Sequence, residues 1–177
     1  MKLIQRLLFV CLTLLTISGF AQQKKFTSTQ EAVSYINDQC NKYWIMEKMP
    51  GIASHEIMVY QHGFQLFFNE KTIFKGKMNA AGIEENEVHT TLTSINLEQA
   101  KRAGNGTTVG FSGTKKNIVT VSYHGFSQLN NKGEFNNTYV LPLDYTNRAL
   151  MQTINDLNAA VDYLLAECYT KACRLKN

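Results

Sequence analysis

No apolar run in this chain reaches the roughly 20 residues a helix needs to cross a bilayer. Residues 7–20 come nearest, and Gln22-Gln23-Lys24-Lys25 ends them abruptly. Basic residues do not gather beyond short pairs such as Lys115-Lys116, which argues against nucleic acid or an anionic membrane as the main partner. The chain carries no Gly-x-Ser-x-Gly, no His-Glu-x-x-His, no Walker loop and no Gly-x-Gly-x-x-Gly, so none of the chemistries those motifs define is signalled. Internal repeats and low-complexity tracts are missing too, and no shift of composition marks a second domain. Proline occurs only twice, as Pro50 before Gly51 in a linker and as Pro142, where a strand has to end.

What is present begins with an address. Lys2 and Arg6 precede the apolar run, and Gly19 and Ala21 supply small residues at the −3 and −1 positions of a cleavage site before Gln22. Residues 1–21 are thus expected to be a signal peptide, and the working chain to be exported, periplasmic or secreted, with no integral membrane segment left after cleavage. Losing Lys2 and Arg6 lowers the formal net charge from +4 to +2, so the sequence pI of about 8.8 overstates how basic the mature protein is. Cysteine is scarce. Cys40, Cys168 and Cys173 remain after cleavage, and an oxidising compartment permits one disulfide among three. Cys168 and Cys173 can pair only if a helix ends between them, because five residues apart in an unbroken helix they face different ways. Cys40 with Cys168 is the competing bridge, and three unpaired thiols are the third possibility.

Two helical stripes bracket the chain. Ala32, Val33, Ile36, Cys40 and Tyr43 share one side of an expected helix over 27–43, capped by Thr27, Ser28 or Thr29. Leu150, Ile154, Leu157, Val161, Leu164 and Cys168 recur at steps of four and three over 147–170, with Thr146 or Asp144 as cap. Between them the period becomes that of strands. Strands are expected over 56–60, 64–68, 72–78, 89–97, 107–112, 117–124 and 136–143, with His62-Gly63 as a hairpin corner and 69–71 as a second turn. Residues 79–87 read as a polar loop, and 98–102 lean towards helix.

The expected fold class is α+β: an N-terminal helix, about seven antiparallel strands forming a small barrel or sandwich, and a C-terminal amphipathic helix closing it. Residues 22–53 supply the first helix and linker, and 54–177 the strands and last helix, together one domain. In element order, and in His62-Gly63-Phe64-Gln65-Leu66, Ile95-Asn96-Leu97 and the helix from Arg148, the chain resembles the pleckstrin-homology superfold. It is also similar in layout to small exported bacterial proteins of unassigned function. Phosphoinositide-binding members carry a basic loop between their first two strands; here that loop is only His62-Gly63, so their activity does not carry over.

Candidate chemistry is sparse. His55, His62, His89 and His124 stand alone on or beside strands, and Glu84, Glu85 and Glu87 lack the alternation of a calcium loop. A non-catalytic module without a cofactor, binding another envelope component or serving a structural role, is the first expectation. The second is a carrier holding a small apolar ligand inside a barrel lined by Phe64, Leu66, Phe68, Val121, Tyr123, Leu157 and Leu164. The third, an enzyme, would need His or Glu side chains converging in one cleft. A lesser expectation is soft-metal binding, since Met46, Met49, His55 and His62, with Met58 between, offer thioether and imidazole ligands suited to Cu(I). Trp44 beside Tyr43 reads as a staple between the first helix and the domain, or as an exposed patch.

Overall fold

A computed structural model describes residues 23–45, 51–78, 84–104, 106–113, 118–124 and 134–175. Helix α1 (Thr29–Tyr43) starts at Ser28, whose hydroxyl accepts from the Glu31 N–H, and buries Ala32, Val33, Ile36, Cys40 and Tyr43. Strands β1 (Ile52–His62), β2 (Gln65–Met78), β3 (Glu84–Asn96), β6 (Val119–His124) and β7 (Glu134–Asn136) form one antiparallel sheet in the order β1-β2-β3-β6-β7. Strands β4 (Lys101–Ala103), β5 (Gly110–Ser112) and β8 (Thr138–Val140) form a second, three-stranded sheet. Helix α2 (Arg148–Leu175) follows, and its whole expected stripe from Leu150 to Cys168 is buried.

The architecture is therefore α+β with two open sheets, and no closed barrel forms among the described residues. The reason lies at the edge of β1. Asn37 and Asn41 sit one helical turn apart on α1, a rise of about 6 Å that matches the roughly 6.7 Å between alternate strand residues. The Val59 N–H donates to the Asn37 side-chain oxygen at 2.8 Å. Asn41 accepts from the Ile57 N–H at 3.2 Å and donates to the Ile57 carbonyl at 2.8 Å. The edge that would have closed a barrel is occupied by helix side chains instead.

Several expected boundaries shift for identifiable reasons. Residues 69–71 are no turn, because β2 runs straight through them and Glu70 points inward to a buried partner. Glu84 to Glu87 extend β3, and the stretch after Leu97 turns into β4 instead of a helix. The single strand expected over 136–143 splits at Asn137, leaving β7 in one sheet and β8 in the other. Gly110 permits that second sheet, since a Cβ there would strike the Tyr139 carbonyl. The hairpin corner stands as expected, with His62 paired to Gln65 and Gly63 at φ +58°.

The Phe68 and Tyr139 rings, 5.2 Å apart, join the two sheets inside a single apolar core. Trp44, 1% exposed, forms a β-bridge to Leu143, so the end of α1 is stapled to the approach to α2. The α2 cap is Asn147, whose side-chain oxygen accepts from the Ala149 N–H at 2.9 Å, while Asp144 holds the Thr146 N–H and hydroxyl one step earlier. The helix then runs through both Cys168 and Cys173 without a break. A Cys168–Cys173 pairing needed the helix to end between them, and its backbone does not; Cys40 and Cys168 are buried free thiols, so the Cys40–Cys168 bridge is not formed either. The Cys173 side chain lies outside the described residues.

Candidate functional site

The pleat of β1 decides which side chains can meet. Residues 55, 57 and 59 point inward, and 56, 58 and 60 point outward. His55 therefore lies on the opposite face from Met58 and His62, so the soft-metal set is divided between two sides of the sheet. Met46 and Met49 lie outside the described residues. Among the described residues, no three His, Cys, Asp or Glu side chains converge on a metal position.

His55 instead joins a buried polar cluster. Its ring stacks on Trp44 with centroids 5.6 Å apart, and its Nε2 lies 3.2 Å from Glu70 Oε1. The Trp44 indole N–H donates to that same oxygen at 3.2 Å. The His55 side chain is 2% exposed and that of Glu70 19%. Facing a carboxylate, Nε2 carries the proton. Burial pushes the nearby Cys40 thiol well above its ordinary range, and Glu70 adds to the effect. Burial likewise raises the Tyr139 hydroxyl, and the Thr93 hydroxyl bonded to it acts in the opposite sense. Such a thiol is a poor nucleophile, and the cluster is built to hold α1 onto the sheet.

Most of the side chains expected to line a cavity sit in the packed core. Leu66, Phe68, Val121, Leu157 and Leu164 are packed in the core, and the Tyr123 side chain lies outside the described residues. Phe64 borders an open space. That space is a groove of about 740 Å³ at the hairpin end of the domain, between the first turns of α1, the end of β1 and the last turns of α2. Val33, Val59 and Phe64 form its apolar walls, Thr29, Gln30 and Gln61 its polar rim, and Lys171 its cation. It was illegible in the sequence because it joins residues from three distant segments, none of which forms a local motif.

Gln61 ties the hairpin to α2. Its side-chain N–H₂ donates to the Gly63 carbonyl at 2.9 Å and reaches the Cys168 sulfur at 3.3 Å. The Gly63 carbonyl can only accept, which fixes the orientation of the amide. The Gln61 Oε1 atom is left buried and, among the described residues, without a partner. Burial raises the Cys168 thiol, partly opposed by the Gln61 bond and the positive charge of Lys171.

On the outer face of the large sheet, Tyr60 stacks on Phe67 at 4.9 Å and Met58 is 54% exposed. No helix among the described residues is long and apolar enough to cross a membrane. Compared with protein-family models, curated proteins and solved structures, the chain matches none.

Proposed function

We propose that this chain is an exported, non-catalytic binding module, and that its ligand seat is the groove between α1, the β1–β2 hairpin and α2. The observation that carries this reading is the groove itself. At about 740 Å³ it lies within the range of small-molecule sites, with apolar walls and few polar groups at the rim. The seat of the carrier hypothesis thereby moves from the interior of a barrel to the surface between two helices and a hairpin. Native mass spectrometry of protein purified from an exporting host tests it. The wild type is expected to retain a small molecule, and Gln30→Trp, which places a bulky ring on the exposed rim, is expected to lose it. Repeated recovery of wild type with no bound mass counts against the reading.

A protein partner is the second reading, favoured by the exposed Met58 beside the Tyr60–Phe67 stack. A photo-crosslinking residue at position 58 is then expected to yield one discrete adduct in the host. A smear or no product opposes it.

A further inference from the structure

We infer that the groove takes an amphiphilic anion, an alkyl chain ending in a carboxylate-class head, with the chain on Val33, Val59 and Phe64 and the head at Lys171. The inference rests on the groove being a ligand seat and adds the chemical class of its ligand. Among the described lining residues Lys171 is the one charged side chain, and none is a carboxylate. No described carboxylate lies within ion-pair distance of its ammonium. Glu167, one turn earlier on α2, makes itself felt at Tyr163 and Cys168. A cation at one end of apolar walls selects against cationic ligands and leaves a place for an anionic head. The partly buried Phe64 offers the chain its main surface, and the core residues Val33 and Val59 back it, held in place by the hydrogen bonds that join α1 to β1. Because these walls are already ordered, binding costs the protein little reorganisation, so chain length controls affinity and the head controls sign.

Decanoate, 1-decanol and decylamine, each well below its aggregation concentration, separate the possibilities in titrations of the mature chain followed by NMR of the Val33 and Val59 methyls. Decanoate is expected to saturate and to bind more tightly than decylamine. Octanoate and dodecanoate are expected to bracket it by about two- to fourfold per added methylene, as burial of an alkyl segment requires. Lys171→Glu is expected to weaken decanoate by about two- to fivefold, the scale of an exposed ion pair, and to reverse the order of the two charged ligands. Decylamine or decanol binding as tightly as decanoate, or an order unchanged in Lys171→Glu, overturns the anionic assignment and leaves the groove standing. Failure of all three ligands to saturate overturns the groove as well. The near-ultraviolet circular dichroism of Trp44 checks that each variant keeps its fold.

Discussion

Glu70 shows how much a single side chain can carry in this fold. One of its oxygens receives both the Trp44 indole and the His55 ring, and both donors are buried. Glu70→Ala strands two donors at a cost of about 1–3 kcal/mol each, so a loss of about 3 kcal/mol is expected. Glu70→Gln keeps a carbonyl oxygen in place and is expected to lose only about 1 kcal/mol. Urea unfolding followed by Trp44 fluorescence compares them; equal losses would show that hydrogen bonding to this oxygen is not what stabilises the cluster. The cluster was hidden in the sequence because Asn69-Glu70-Lys71 has the composition of a turn, and a turn would have removed Glu70 from the sheet. The hairpin contained the missing signal. Once Gly63 sets His62 opposite Gln65, the register places Ile57 opposite Glu70, and His55 becomes its neighbour on the same face. Parity alone would likewise have separated His55 from Met58 and His62.

At the scale of elements, the helices were the most legible parts. Each stripe has enough repeats to fix a face: the buried set of α1 coincides with the residues its period marks, and that of α2 holds all of its marked residues together with Asn158 and Ala160. Three-residue strands such as β4, β5, β7 and β8 hold too few alternations to read, so the change of sheet at Asn137 left no trace. The pairing of α1 with β1 was also invisible, since Asn37 and Asn41 look like ordinary solvent-facing residues until a strand edge is placed beside them. That pairing has a consequence. Asn37→Ala with Asn41→Ala removes partners from the Val59 N–H and from both backbone groups of Ile57. Losses of about 1 kcal/mol or more per group imply roughly 3–5 kcal/mol in urea unfolding. The uncovered edge is also free to pair with another copy, so light scattering on a sizing column is expected to show concentration-dependent association. A monomeric, equally stable double variant would mean that water serves this edge as well as the asparagines do. Asp162→Ala gives the contrast. Its 2.9 Å pair with Arg102 is 39% and 53% exposed, and a change within about 0.5 kcal/mol is expected.

For the whole molecule, weakly acidic groups are spread from the first helix to the last: Tyr35 and Cys40 on α1, Tyr139 on β8, Tyr145 before α2 and Cys168 on α2. Burial is the leading cause at each, and it raises every one of them above its ordinary value of 9.0 for a thiol or 10.0 for a phenol. Below pH 9 these groups are protonated in both folded and unfolded chains, and their contribution to stability is intact. Above it, the unfolded chain ionises first while the folded chain keeps its protons, so the unfolded state gains. Stability therefore falls with rising pH, by about 1.4 kcal/mol per pH unit for each group ionised in one state only. The thiols open that window near pH 9 and the phenols widen it near pH 10. Urea unfolding at pH 7, 9 and 10.5 is expected to show little change over the first interval and a steep loss over the second. Cys40→Ala trims a small buried side chain and costs stability at pH 7, yet it deletes the most deeply shielded thiol, so its loss between pH 9 and 10.5 is expected to be smaller than that of the wild type by about 1–2 kcal/mol. A wild type equally stable at pH 7 and 10.5, or a Cys40→Ala profile parallel to it, would place these groups in contact with water and contradict the packed core that joins α1, both sheets and α2.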